Sequence, residues 1–379
     1  MKRRLLALPL IACFLLALVV GSQPGGAKPL PRVPQGFFGI VPQTPLTAED
    51  YSYMEAGGIE SIRLTLPWAG VQPKRNGPYQ WEGFDLALEA AVLSGMRVLP
   101  SIGSPPRWAT RKETSMPVAT AAQRIAWEKF LRAAVARYGP GGDFWDERAV
   151  GGGGIGPNYE PEPVISRPIP IREWQIWNES NFFYFAYPVS PTQYAKLVTA
   201  SSKAIKSVDP RAKVVLAGLF AEPTARGKKG MPATTYLQRL YDIPGFKNRF
   251  EGFDLHPYAI DAEDLERMIE EFTEVARENR DRPALYLTEL GWGSENNFEE
   301  VAFEQGIRGQ VKQLKASYAY LMANARRLNL KSAYWFSWKD LPGSCTFCDS
   351  VGFFRAGPKF KAKPAWHAFV RLTGGRARP

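Results

Sequence analysis

Cysteine and histidine are scarce in this chain: 379 residues hold three cysteines and two histidines, His256 and His367. Cys345 and Cys348 form a lone C-x-x-C with no second pair, so the four ligands of a structural zinc site are hard to assemble. No metal and no cofactor is expected. No glycine-rich fingerprint follows the first strand candidate, which argues against a dinucleotide-binding sheet. The glycines at 151–154 lack a following Lys-Ser/Thr and do not lead into a helix, so they make no phosphate cradle. No basic aromatic motif or recognition helix occurs, and nucleic acid is not an expected partner. The apolar run Leu5–Val20 has 16 residues and contains Pro9, short for a spanning helix. There is no internal repeat and no sign of a second domain.

What is present begins with that apolar run. Lys2, Arg3 and Arg4 precede it, and Gly25 and Ala27 suit the −3 and −1 positions of a cleavage site. Residues 1–27 are therefore expected to be a signal peptide, with an uncleaved membrane anchor as the alternative. Leu10-Ile11-Ala12-Cys13 loosely resembles a lipoprotein box, but the apolar run continues past Cys13. Loss of residues 1–27 removes three cations and no carboxylate, so the formal charge falls from +11 to +8 (11 − 3). A basic, secreted, extracellular protein can associate with an anionic cell-surface polymer, although solubility alone also explains the charge. In an oxidising compartment Cys345 and Cys348 are expected to pair as a disulfide.

Apolar residues make up 45% of the chain and charged residues 22%, as in a globular protein. Eleven tryptophans need either a large core or a cleft that stacks flat ligands. Short apolar runs alternate with helical patterns, which indicates βαβ units. Strands are expected at Phe37–Val41, Ser61–Leu66, Arg97–Ile102, a fourth ending at Glu179, Lys213–Ala217, Phe253–Leu255, a seventh ending at Glu289, and Ser332–Trp338. Helices are expected after Thr47, near 83–94, 121–138, from Ser190, and at 262–279, 301–328 and 364–372. The glycine- and proline-rich stretch 139–170 reads as a long loop on the face opposite the strand ends. Eight such units make an α/β fold, a single (β/α)8 TIM barrel over residues 28–379.

Two glutamates stand out against this rhythm. Glu179 closes Trp174-Gln175-Ile176-Trp177-Asn178-Glu179, and Glu289 closes Leu285-Tyr286-Leu287-Thr288-Glu289. They lie 110 residues apart (289 − 179), three units of the repeat, which puts them on strands four and seven. A parallel barrel presents its functional groups at the C-terminal strand ends. Two carboxylates delivered there suggest glycoside hydrolysis.

Asn178-Glu179 and Glu289 in these positions resemble the retaining glycoside hydrolases of clan A. The chain looks most like glycoside hydrolase family 39 and related secreted cellulase-like and exopolysaccharide-cleaving enzymes. Arg63, Ser104-Pro105-Pro106-Arg107-Trp108, His256-Pro257-Tyr258 and Trp335-Phe336-Ser337-Trp338 support the resemblance in order and spacing. It implies double displacement with Glu289 as nucleophile and Glu179 as acid/base. Arg63 is the natural cation to keep Glu289 ionised, and Tyr258 can donate a further bond. The charge of Glu289 and the exclusion of water would raise the pKa of Glu179. Asn178 would meet the sugar 2-hydroxyl, and His256 would orient the substrate or the carboxylates. Trp338 would floor the −1 sugar; Trp335 has the opposite parity, so only one of them stacks. Trp108 and Trp292 would line outer subsites. For all four tryptophans core packing is the competing reading, and His367 reads as surface or packing. No segment after strand eight can build the accessory β-domain of family 39 β-xylosidases, so endo-action on a β-linked polysaccharide is expected. The alternatives are an exo-β-glycosidase such as a β-xylosidase, an inverting or metal-dependent hydrolase, and a non-catalytic polysaccharide-binding barrel.

Overall fold

The eight apolar runs are all strands, and they close on one another. In the computed structural model they are β1 (Phe38–Val41), β2 (Ser61–Pro67), β3 (Arg97–Gly103), β4 (Glu173–Ile176), β5 (Lys213–Phe220), β6 (Gly252–His256), β7 (Ala284–Leu290) and β8 (Leu330–Phe336). Every neighbouring pair is parallel, and β1 pairs back onto β8, giving one closed barrel. The structure describes residues 32–149, 164–297, 299, 301–343, 345 and 348–379. The signal-peptide expectation and the glycines at 151–154 lie outside the described residues. Among the described residues no helix is long and apolar enough to cross a membrane.

The helices are α1 (Ala48–Ala56), α2 (Trp68–Val71), α3 (Glu82–Leu93), α4 (Ala121–Tyr138), α5 (Asp143–Ala149), α6 (Pro191–Val208), α7 (Ala233–Tyr241), α8 (Ala262–Glu278), α9 (Gly306–Leu328) and α10 (Pro364–Thr373). Local chemistry sets several starts. Thr47 and Asp50 form a reciprocal capping box at α1. Ser190 caps α6, with Pro191 at the first helical position where its missing N–H costs nothing. Along α8, Leu265, Met268, Ile269 and Phe272 recur at helical spacing and are buried.

Strand alternation sorts side chains between two interiors. Ile62, Trp335 and their like pack in the outer core, while Val41, Leu99, Val215, Tyr286, Tyr334 and Phe336 form a smaller inner cluster. The same alternation sends Arg63 inward between Ile62 and Leu64.

Several boundaries differ from expectation. β4 ends at Ile176, three residues before Glu179, and β8 ends at Phe336, before Trp338. α9 starts at Gly306 rather than 301. The expected loop 139–170 contains α5, whose Phe144 and Trp145 are buried. Pro168–Pro170 line a cavity of about 630 Å³ with Glu60 and Arg97, at the N-terminal strand ends and away from Glu179 and Glu289.

For three of the four tryptophans weighed between cleft and core, the structure gives the core. Trp292, Trp335 and Trp338 are fully buried. Trp335 points outward and stacks on Phe353 at 5.1 Å, with its N–H donating to the Val351 carbonyl. The Trp292 N–H donates to the Ala259 carbonyl at 2.8 Å. Trp338 lies past the strand, where parity no longer governs it, and packs against Phe354 and Trp366. Its N–H donates to Asp50 Oδ1 at 2.7 Å. Trp338→Phe should lower stability in urea by about 1–3 kcal/mol, because a buried carboxylate loses a donor, and should leave carbohydrate affinity unchanged. Loss of affinity at unchanged stability would return Trp338 to the sugar site.

Candidate active site

Arg63 reaches the C-terminal mouth of the barrel from β2 and is 7% exposed. Its Nη1 donates to Glu289 Oε1 at 2.6 Å, Nη2 to Asn178 Oδ1 at 2.6 Å, and Nε to Gln175 Oε1 at 2.7 Å. The planar fork thus ties β2 to β4, to the segment after β4, and to β7. Tyr258, just beyond β6, donates to the other oxygen of Glu289 at 2.6 Å. Both oxygens of Glu289 therefore carry a donor.

Glu179 sits where the chain leaves β4 in an unusual conformation. Trp177 (φ 76°) and Glu179 (φ 37°) both adopt positive φ, which costs energy in residues bearing a Cβ. The surroundings hold them there. The Trp177 N–H donates to Ile102 O at 2.8 Å and the Glu179 N–H to Gly218 O at 3.1 Å. Asn181 donates to the Phe220 and Met231 carbonyls and accepts from the Phe220 N–H, pinning the following loop to β5.

His256, at the end of β6 and fully buried, stands between the two carboxylates. Its Nδ1 is 2.8 Å from Glu179 Oε1 and 3.5 Å from Glu289 Oε2. One oxygen of Glu179, one of Glu289 and a ring nitrogen of His256 all lie within 4.8 Å of one another. Gly218 makes room for the ring, because a Cβ there would occupy the position of the imidazole.

A buried chain behind the ring sets its tautomer. Asp254 accepts from the Thr288 N–H at 2.9 Å, and also from the Thr288 hydroxyl and the Gln175 amide. Having spent its proton on Asp254, the Thr288 hydroxyl accepts from His256 Nε2 at 3.0 Å. Nε2 therefore carries hydrogen. The remaining contact, Nδ1 to Glu179, then holds one proton whether the imidazole or the carboxyl bears it.

The environments divide the two glutamates. Burial pushes Glu179 up from the ordinary carboxyl value, and the charge of Glu289 adds to this against His256 and Arg63. Burial acts on Glu289 too, but His256, Arg63 and the Tyr258 hydroxyl outweigh it and hold this carboxyl low. Burial alone would lower His256; the charges of Glu289, Glu179 and Asp254 overcome it and raise the ring.

Of the residues singled out in the sequence, Arg63, Asn178, Glu179, His256, Tyr258 and Glu289 converge here. Trp108 stays on the rim, half-buried, with its N–H on the Gln72 carbonyl and the Arg75 guanidinium over its ring. His367 is exposed on α10. Cys345 and Cys348 are joined by a disulfide in the segment after β8. Sequence reasoning missed Gln175, Asp254, Thr288 and Phe336. Phe336 ends β8 facing inward, its ring edge-on to Tyr258 at 6.1 Å. Period-2 alternation places Gln175 and Asp254 inside the barrel and was the signal available for them.

The class of structure this barrel resembles is that of the glycoside hydrolases. A family 39 glycoside hydrolase from Bacteroides cellulosilyticus superposes with a TM-score of 0.63 at 18% identity, over 91% of this chain and 65% of that one. This chain thus spans just under two thirds of that protein's length. A glucosidase from Croceicoccus marinus matches with a TM-score of 0.62 at 15% identity, over 91% and 68% of the two chains. Xylanase 10B of Thermotoga maritima matches with a TM-score of 0.58 at 14% identity, over 89% and 94%. No protein-family model and no curated protein matches the sequence. At these identities the likeness establishes the shared fold.

With only two histidines, ring NMR can follow His256 directly, using His367→Gln for assignment. Its titration should lie above the ordinary value of 6.5. Asp254→Asn should move it down, because a negative charge that favours the imidazolium is gone. An unshifted titration in Asp254→Asn would break the proposed chain through Thr288.

Proposed function

We propose that this chain is a retaining glycoside hydrolase that cleaves β-glycosidic bonds by double displacement. The observation that carries the reading is the carboxylate pair, with oxygens within 4.8 Å and opposite pKa shifts. Retaining pairs stand about 5–5.5 Å apart, whereas inverting pairs need about 6.5–9.5 Å to admit a water. The resemblance of the barrel to known glycoside hydrolases supports the same reading.

Glu289 is the nucleophile. Arg63 and Tyr258 keep it ionised and aim it. Glu179 is the acid/base: it gives the leaving oxygen the proton held in its contact with His256. When Glu289 becomes esterified by the sugar, its charge disappears and one cause of the raised pKa of Glu179 goes with it. Glu179 then takes a proton from the incoming water. Arg63 holds the Asn178 oxygen, which leaves the amide N–H groups as the donors for a sugar 2-hydroxyl. Secretion and endo-action on a β-linked polysaccharide complete the proposal.

Glu179, His256 and Glu289 also present three donor atoms to one point, which favours a metal-assisted hydrolase as the second reading. The existing bonds argue against it, since Arg63 and Tyr258 occupy both Glu289 oxygens and His256 Nδ1 is engaged by Glu179. A chelator should leave turnover unchanged; loss of activity restored by zinc selects the metal.

Activated aryl β-glycosides provide the direct test. Glu289→Ala should lose at least about 10³-fold in rate, roughly 4 kcal/mol of barrier, and azide or formate should restore part of it with inverted product. Unchanged activity excludes Glu289 as nucleophile. Wild-type kcat/KM should rise with pH through a value below 4.5, as Glu289 ionises, and fall through one above 4.5, as Glu179 deprotonates. A profile without the alkaline fall would remove Glu179 from the acid role.

A further inference from the structure

Exposed cations gather in three loops on one side of the barrel mouth. The segments 68–81, 104–120 and 221–232, which follow β2, β3 and β5, carry eight lysines and arginines against two carboxylates, Glu113 and Glu222. All eight cations are exposed, and among the described residues none forms an ion pair. Glu222 is already engaged by Arg267 on α8. Across the mouth the segment 291–305, after β7, has four glutamates and no lysine or arginine. The segment 337–363, after β8, carries five more lysines and arginines against Asp340 and Asp349, with Lys339 and Lys363 held by Asp50 and Asp340.

Between the cationic segments lies the loop after β4, which carries Glu179 near its start. It exposes three large rings: Tyr184 is 65% exposed, Tyr187 43% and Phe185 41%. Tyr184 stacks on Phe183 at 4.2 Å. Lys229 Nζ lies 6.0 Å from the Phe183 ring centre, and Lys112 Nζ 5.9 Å from that of Tyr187. Backbone bonds fix the loop to both sides. The Tyr187 N–H donates to Thr114 O at 3.0 Å, and the Phe183 and Val189 N–H groups to Lys229 O and Lys228 O at 2.9 and 3.0 Å. Inward, Phe182 stacks on Phe220 at 5.3 Å, and Phe220 stands 5.8 Å from Tyr258, which holds Glu289. A series of rings therefore runs from the carboxylate pair out to the rim.

We propose that this surface binds an acidic polysaccharide, one that bears uronate carboxylates, and that it sets the substrate class of the site. The inference rests on the glycosidase reading for the presence of a sugar chain at the mouth. Pyranose rings lay their C–H faces on aromatic rings, and carboxylates at the ring edge reach lysines and arginines on either side. A cationic, aromatic-lined track also suits single-stranded nucleic acid. Here it leads to a carboxylate pair spaced for a glycosidic bond, which a sugar chain offers and a phosphodiester backbone does not.

Calorimetric titration of the full chain separates these cases. The probes are oligosaccharides of glucuronoxylan, hyaluronan and alginate, each native and carboxyl-reduced, and a single-stranded oligonucleotide. At ~0.15 M salt at least one native acidic sugar should bind about tenfold tighter than its reduced form. Lys112→Glu with Lys229→Glu should abolish that preference. Tyr184→Ala should weaken native and reduced forms alike. Lys196→Glu with Lys203→Glu, the same charge change on exposed positions of α6, should leave the preference intact. Equal binding of native and reduced sugars, no binding of any acidic sugar, an equal loss from the α6 pair, or an oligonucleotide that binds as tightly as the best sugar overturns the proposal. Binding of acidic sugar without aryl-glycoside hydrolysis would keep this inference and reject the hydrolase. Hydrolysis with no preference for acidic sugars would do the reverse.

Discussion

The buried Arg63 guanidinium is the group on which the rest of the site depends. A cation taken out of water is costly unless its donors are satisfied. Here Glu289 balances the charge, and Gln175 and Asn178 accept the remaining bonds. Those partners come from β4, the segment after β4, and β7, so a single side chain sets the relative positions of several barrel strands at their functional ends. It also determines the protonation of the pair: with Arg63 and Tyr258 on its two oxygens, Glu289 is the carboxyl that stays charged. Lysine lacks the planar fork that reaches three acceptors in fixed directions.

Glu179 depends on the same constraint at one remove. The charge retained on Glu289 is part of what raises Glu179, and His256 reports on both. Behind His256, Asp254 and Thr288 fix which ring nitrogen faces forward. The positive φ at Trp177 and Glu179 is local strain carried by the last turn of chain before the site, held by backbone bonds to β3 and β5. Rigidity here follows from burial and hydrogen bonding, and it holds the Glu179 carboxyl beside that of Glu289.

Much of this architecture was legible in the residues. The barrel follows from alternating periodicities, and Arg63, Glu179, His256, Tyr258 and Glu289 each sit at or beside the C-terminal end of an apolar run. Tryptophan was where the reading left core and cleft open, and for three of the four the core reading holds. Trp292, Trp335 and Trp338 fall near strand ends in sequence, yet whether an indole faces a cleft or a helix depends on the last residue of the strand. β8 ends two residues early, at Phe336, so alternation no longer assigns a face to Trp338. Phe336 took the inward place near Tyr258. The buried cluster of Lys363 with Asp340, Ser294 and Ser350 was equally hidden. Its members are far apart in the chain, and nothing in their local sequence marks them as partners. The cationic loops after β2, β3 and β5, by contrast, lie openly in the sequence, but they acquire meaning only once the barrel order sets them side by side.

One scaffold holds two neighbouring carboxyls in opposite states. Infrared titration of the glutamate carboxyl bands in wild type, Glu179→Gln and Glu289→Gln measures this without any substrate. A buried glutamate should titrate below 4.5 and vanish in Glu289→Gln, and another should titrate above 4.5 and vanish in Glu179→Gln. The second should move down once Glu289 is neutralised. Two glutamates titrating together, or a Glu179 indifferent to the loss of its neighbour's charge, would contradict this division of states.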